Sequence, residues 1–128
     1  MNVWYSSREN AELSNLAYRP FRVNGLIFLS VEHAYQSLKG GRLDRLTYGK
    51  YTGPGKKIRG MDKPKTEDGY NIKLMKFLIK RSFEMNFAAR LELLKTGDEE
   101  ITHYQDKSIW RNLFPKLLME VREELTNK

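Results

Sequence analysis

Apolar residues recur at the spacing of an α-helix through the second half of the chain. The longest such segment, "YNIKLMKFLIKRSFEM" (70–85), is apolar around most of the helix circumference. Four of its charged residues share one narrow stripe, and these are Lys73, Lys76, Lys80 and Glu84. A helix of this kind is expected in the middle of a fold. A shorter helix is predicted from Phe87 to Lys95, with Asn86 as its cap and Gly97 beyond its end. The last helix is predicted to begin near Pro115, a residue that a first turn tolerates.

The first half of the chain predicts a β-hairpin followed by a helix. "PFRVNGLIFL" places Asn24-Gly25 between two short apolar runs, which is the strongest short-range hairpin signal. Ser30 is the expected N-cap of the next helix, which should end at Gly40-Gly41. Residues 40–69 read as a loop with one short helix from Leu43 to Tyr48. The predicted fold is mainly α (α+β at most): one compact multihelical domain, residues 1–128, with buried central helices and one small hairpin.

The helix after Ser30 has two different faces. At about 100° per residue, the polar residues fall within about 60° of one another, and these are Glu32, Gln36 and Lys39, with Tyr35 beside them. Apolar residues form the opposite face. Spacing alone favours an ordinary solvated polar face over a binding site. The helix dipole predicts a low pKa for the Glu32 carboxyl in the first turn, unless burial opposes it.

Composition narrows the function classes. A formal charge of +7 and a pI near 9.6 favour an anionic partner. The densest basic stretch, residues 50–65, is either a solvated loop or a phosphate-contacting one. The chain has no cysteine and two histidines, so we expect no metal site, and we expect no cofactor. Neither a signal peptide nor a membrane-spanning segment is recognisable, so a cytoplasmic location is expected and no membrane association; the oligomeric state is left open.

Three strings resemble, in order, the motifs of the NADAR superfamily, the YbiA-like N-glycosidases. The first covers residues 12–40, where the family motif Ser-x-Glu-His-x-x-Gln-x-x-Lys is matched from Ser30 to Lys39 and is preceded by Ser14-Asn15. The second, residues 72–98, is similar to the family's central helix and its Leu-Leu-x-Thr-Gly turn. The third, residues 112–125, is similar to the family's closing motif. Matches in one order over most of the chain are far more specific than any single motif.

The resemblance implies an enzyme that hydrolyses the bond between ribose C1 and a nitrogen. Its substrate would be a phosphorylated ribosyl small molecule, as in riboflavin synthesis, or ADP-ribosylated guanine in nucleic acid. Breaking such a bond builds positive charge on C1 and the ring oxygen, so a fixed carboxylate stabilises the transition state or activates water. The resemblance makes Glu32 the candidate for this role. It implies a second catalytic candidate in Asp106, which would bind a ribose hydroxyl or position water.

The same resemblance implies a set of substrate-binding residues. These are Asn15, His33, Tyr35, Gln36, Lys39, Arg59, Tyr70 and Trp110. Arg59-Gly60 stands where the family usually has Gly-Arg, and Tyr70 stands where it usually has Trp. Trp110 would stack on the leaving base, although without the resemblance a packing role is more usual. Two alternatives stay open: a non-catalytic module that binds ADP-ribose or nucleic acid, and a purely structural helical protein.

Overall fold

A two-stranded hairpin and five α-helices make up the regular structure of Met1–Asn127, the residues that the computed structural model describes. The strands are β1 (Phe21–Val23) and β2 (Leu26–Phe28). The helices are α1 (Val31–Leu38), α2 (Arg45–Tyr48), α3 (Tyr70–Glu84), α4 (Phe87–Lys95) and α5 (Trp110–Thr126), and short 3-10 turns occupy Ala11–Leu13 and Glu67–Gly69. The mainly helical prediction is confirmed. Within Met1–Asn127, none of the helices combines the length and the hydrophobicity that crossing a bilayer requires.

The hairpin forms where the turn signal placed it. Phe21 pairs with Phe28 in an antiparallel register, and Asn24 and Gly25 both have positive φ, 49° and 82°. Two successive left-handed residues make the turn whose twist matches a hairpin, and Asn-Gly is the sequence that adopts it most readily. Phe21 and Phe28 are buried with ring centroids 6.1 Å apart, so the hairpin is attached to the core.

Helix α1 begins as predicted. The Ser30 hydroxyl accepts from the His33 amide at 3.0 Å, which satisfies one of the free N–H groups of the first turn. Val31 and Ala34 are fully buried, and Leu38 packs against the same core. The apolar face therefore fixes the rotation of α1, and the polar face is held in one direction.

Helix α3 lies at the centre of the fold and packs on α1, α4 and α5. Its buried apolar side chains are Met75, Leu78, Ile79 and Phe83, as a central helix requires. Two residues of the charged stripe on α3 pair with α5, where Lys76 lies 2.5 Å and Lys80 2.8 Å from the Glu124 carboxylate. Lys76 and Lys80 thus join the two longest helices at their solvent edge.

The predicted start of the last helix near Pro115 is wrong, because α5 begins at Trp110 and contains Pro115. As the sixth residue of α5, Pro115 lacks the one N–H that would donate to the Arg111 carbonyl. The Ser108 hydroxyl accepts from the Trp110 amide at 3.2 Å, and Phe114 is buried in the core. Tertiary packing of the first turns outweighs the cost of the proline.

The role of Asn86, the predicted cap of α4, also differs from the prediction. Asn86 occupies the N-cap position but its side chain makes no capping hydrogen bond. Its amide instead donates to the carbonyls of Pro20 and Ser82, each at 2.8 Å. Asn86 therefore joins the hairpin to the end of α3.

Candidate active site

A cavity of about 320 Å³ opens between the N-terminal segment, α1, the basic segment 50–65 and the start of α5. Six of the ten residues that the sequence singled out line it together: Asn15, Glu32, Tyr35, Gln36, Asp106 and Trp110. These residues come from three separate parts of the chain. We call this space the active-site cavity.

Glu32 is positioned by the first turn of α1. Its amide donates to the Asn15 carbonyl at 2.9 Å, and its carboxylate accepts from the Gln36 side chain at 3.0 Å. Burial raises the pKa of the Glu32 carboxyl; the Gln36 hydrogen bond and the charges of Lys57 and Lys39 oppose the rise only in part. This is the case in which burial opposes the low pKa expected from the helix N-terminus, because the surrounding protein removes water from the carboxylate.

Gln36 connects Glu32 to the basic segment. While its amide nitrogen donates to Glu32, its amide oxygen accepts from the Gly60 backbone at 3.1 Å. A Cβ at Gly60 would lie 2.7 Å from both the Gln36 carbonyl oxygen and the Lys39 Cε, so only glycine allows this approach. Ile58 is buried beside it. The backbone of the basic segment therefore packs across α1.

Asp106 is the second carboxylate of the cavity. One of its oxygens accepts from the Ser108 amide at 2.7 Å and from the Ser108 hydroxyl at 2.5 Å, while the other lies 3.3 Å from Nε2 of His103. Burial acts to raise the pKa of Asp106, but the Ser108 hydrogen bonds and neighbouring His103 outweigh it and leave the pKa below its usual value. The pKa values of the two carboxyl groups in the cavity are thus shifted in opposite directions.

Aromatic side chains form one wall of the cavity. Trp110 meets the buried Tyr35 edge to face, with ring centroids 5.5 Å apart. Burial raises the pKa of the Tyr35 hydroxyl, so it remains a neutral hydrogen-bonding group. Tyr35 and Trp110 thus both line the cavity, where aromatic side chains are suited to packing against a ring-shaped ligand.

Asn15 has hydrogen-bonding capacity to spare. Among the described residues its side-chain oxygen is buried without a partner, and its amide nitrogen meets only the Met75 sulfur at 3.4 Å. The loop that holds it is fixed by the buried Arg19, whose guanidinium donates to the carbonyls of Ser14 and Glu12, both at 2.8 Å. A buried amide oxygen without a partner, on a loop fixed by hydrogen bonds, is suited to accepting from a ligand hydroxyl.

Comparisons with protein families and with curated protein sequences find no match. Among solved structures, the chain is similar to the NMR structure of the E. coli protein YbiA, with a TM-score of 0.75 and 23% sequence identity, over 99% of this chain and 84% of YbiA. The chain has the fold of YbiA. The resemblance seen in the sequence motifs is thereby confirmed at the level of the fold.

Within this YbiA-like fold, the structure contradicts a binding role for His33. The residue is buried, its Nδ1 accepts from the Leu29 amide at 3.1 Å, and its Nε2 lies 2.7 Å from the Tyr48 carbonyl. These partners fix the neutral ring with its proton on Nε2, and burial lowers its pKa. The imidazole also stacks on Tyr48 at 5.1 Å. His33 joins α1 to α2, and no nitrogen is left for a ligand.

Three other predicted binding residues do not line the cavity, and their roles stay predictions. Lys39 lies at the end of α1, close enough to lower the pKa of Glu32. Arg59 is exposed on the basic segment. Tyr70 donates its hydroxyl to the Leu38 carbonyl at 3.4 Å.

The cavity also contains residues that sequence reasoning missed. Lys57 is the cation of the basic segment that lines it, and its Nζ lies 6.0 Å from the centre of the Trp4 ring. His103 lines it too, with Nδ1 2.8 Å from the Val3 carbonyl and its ring 5.2 Å from that of Trp4. The only signal for His103 was its three-residue spacing from Asp106. Within Met1–Asn127, no cluster of three or more acidic or histidine side chains is suited to a metal ion.

Proposed function

We propose that the protein is an N-glycosidase of the NADAR superfamily that hydrolyses the ribose C1–N bond of a phosphorylated ribosyl substrate. The observation that carries this proposal is the pair of carboxyl groups, Glu32 and Asp106, in one cavity with pKa values shifted in opposite directions. Such pairs characterise sites that divide acid, base and electrostatic roles between two like groups. The motif resemblance and the YbiA fold support the same reaction class.

In this proposal Glu32 acts at the reacting carbon. As the C1–N bond breaks, its electron pair stays on nitrogen and positive charge grows on C1 and the ring oxygen. A carboxylate in water-poor surroundings stabilises that charge far more than it stabilises the uncharged ribose ring of the bound substrate. Because burial raises the proton affinity of Glu32, it is also a stronger base for the water that bonds to C1. Gln36, held by Gly60, keeps this carboxylate in place.

Asp106 takes a different role because it stays ionised. Ser108 and His103 hold it through three contacts, so its orientation is fixed before substrate arrives. An ionised carboxylate accepts hydrogen bonds from ribose hydroxyls. The unpartnered oxygen of Asn15 offers a second acceptor from the opposite loop.

The remaining parts of the substrate match the remaining walls. Trp110, set edge to face against Tyr35, would stack on the leaving base. Lys57 lines the cavity and carries the charge needed for the phosphate on the ribosyl group. Both substrate classes, a ribosylamino-pyrimidine phosphate and ADP-ribosylated guanine, contain these parts.

The test compares Glu32→Gln with a matched control, Glu12→Gln, which makes the same change on an exposed residue. Each protein is incubated with an ADP-ribosylated guanine oligonucleotide and, separately, with the ribosylamino-pyrimidine phosphate, and released base is measured by chromatography. We expect wild type and Glu12→Gln to release base from at least one substrate. Glu32→Gln should be slower by about 100-fold or more, the cost of losing one preorganised electrostatic group.

Two outcomes would contradict the proposal. Equal release by wild type and Glu32→Gln would remove Glu32 from the reaction. Binding of ADP-ribose without release from either substrate would favour the non-catalytic binding module.

A further inference from the structure

A groove of about 610 Å³ adjoins the active-site cavity. Its walls include Arg8 and Lys56, and Tyr5 and Ser6 line both the groove and the cavity. The two spaces therefore share a wall, and a ligand in the cavity can extend past Tyr5 into the groove. We call this space the Arg8 groove.

A tight turn presents Arg8 at the edge of the groove. The Trp4 amide donates to the Glu9 carbonyl at 2.9 Å, and the Arg8 amide donates to the Tyr5 carbonyl at 3.0 Å. Arg8 and Asn10 both have positive φ, 63° and 46°. Residues other than glycine adopt this region at a cost, and such residues concentrate at functional sites.

The opposite side of the groove comes from the basic segment. Gly55, at φ 76°, lies under the Tyr5 ring, and a Cβ there would be 2.2 Å from the nearest ring carbon. Its amide donates to the Leu16 carbonyl at 2.9 Å. Of the next two residues, Lys56 lines the groove and Lys57 lines the active-site cavity. A cation therefore stands on each side of the Tyr5 wall.

The charges of the groove are available to a ligand. Arg8 and Lys56 are exposed, the residues lining the groove include no acid, and neither cation forms an ion pair within Met1–Asn127. The neighbouring Glu9 carboxylate accepts instead from Ser7 at 3.1 Å and from Gln105 at 3.3 Å. Two unpaired cations across one groove suit a phosphate, to which an arginine can donate two parallel hydrogen bonds.

We propose that the Arg8 groove binds a second phosphate of the substrate, beyond the phosphate carried by the ribosyl group in the cavity. This inference rests on the proposed function for the occupant of the cavity. It deepens that function, because a ribosyl monophosphate would leave the groove empty. The second phosphate would belong either to a pyrophosphate, as in an ADP-ribosyl group, or to the diester of a nucleic-acid strand.

The test is a binding measurement, so it does not depend on hydrolysis. Trp4 and Trp110, the two tryptophans of the chain, both line the cavity and report binding by fluorescence. The probes are ribose 5-phosphate, ADP-ribose and a trinucleotide with a central abasic ribose. The variant Arg8→Gln/Lys56→Gln removes the two groove cations. Lys73→Gln/Lys116→Gln removes two exposed charges from α3 and α5 as a matched control.

We expect wild type and the control to bind ADP-ribose or the trinucleotide at least about tenfold more tightly than ribose 5-phosphate, as one charge-assisted contact provides. The groove variant should lose this difference in affinity, while its affinity for ribose 5-phosphate stays unchanged. Weaker binding of ADP-ribose would identify the second phosphate as part of a pyrophosphate, and weaker binding of the trinucleotide would identify it as a diester. Three results would overturn the inference. The groove variant could keep the tighter binding of ADP-ribose or the trinucleotide, or wild type could show no tighter binding of either probe. The control could also lose the tighter binding as much as the groove variant does. If hydrolysis is absent while the difference in affinity behaves as expected, only the proposed function fails.

Discussion

Replacing Gly60 by alanine should destabilise the protein and loosen the active-site cavity. The new methyl group would lie 2.7 Å from the Gln36 carbonyl oxygen and from the Lys39 Cε, and 2.8 Å from the Gln36 side-chain oxygen. The carbonyl belongs to α1, which the buried Val31 and Ala34 hold in place. The basic segment must therefore move away from the helix.

The size of the effect follows from what that movement breaks. If the segment stays, overpacking costs about 1–3 kcal/mol. If it moves, the Gly60 to Gln36 hydrogen bond is lost at about 0.5–1.5 kcal/mol, and part of the burial of Ile58, worth about 1.5–3 kcal/mol in full, is lost with it. The protein takes the cheaper route, so we expect the free energy of unfolding to fall by about 1–3 kcal/mol.

Urea unfolding measures this change, and Gly49→Ala is the matched control. A Cβ at Gly49 meets its nearest atoms at 3.7 and 3.8 Å, which is ordinary contact, and the backbone there has a φ of −76°. We expect Gly49→Ala to stay within about 0.5 kcal/mol of wild type. Wild-type stability in Gly60→Ala, or an equal loss in both variants, would refute the close packing of the basic segment on α1.

Three further outcomes are expected. Burial raises the pKa of Glu32, so ionising this residue costs stability, and the free energy of unfolding should fall as pH rises from the usual carboxyl pKa to the raised one. Urea unfolding should therefore find Glu32→Gln more stable than wild type above that pH range but not below it. In His103→Gln, the pKa of Asp106 should rise toward its usual value, as followed by carboxyl NMR, since His103 contributes to lowering it. The salt bridges of Lys76 and Lys80 lower the pKa of Glu124 to about 2, so their contribution is present above the usual value of 4.5 and is lost as pH falls toward 2. Because these groups are partly exposed, Glu124→Gln should cost less than about 1 kcal/mol at pH 7, and a larger or pH-independent loss would contradict this account.

Local chemistry in the sequence was sufficient for most of the elements. Asn24-Gly25 specifies its turn because both residues tolerate positive φ, and Ser30 caps α1 because its hydroxyl reaches an amide three residues away. The start of α5 was not predictable in this way. Pro115 carries a strong local signal for a first turn, and only the packing of Trp110 and Phe114 overrides it.

For the candidate site, too, the sequence predicts the local features and not the tertiary ones. The sequence by itself determined which face of α1 carries Glu32 and Gln36, because helical spacing fixes the angle between residues and the apolar face fixes the rotation. It placed His33 on the site because a motif does not show that both ring nitrogens already have partners.

Only the tertiary structure decided what surrounds Glu32. It brought Lys57 and His103 to the cavity. It also buried Glu32, so the pKa of this carboxyl is raised where the helix N-terminus alone predicts a low value. Val3 and His103 are joined by a hydrogen bond across a sequence separation of 100 residues, far beyond the range of any periodic pattern. Helix and turn signals act over a few residues, whereas desolvation and charge depend on every segment that packs nearby.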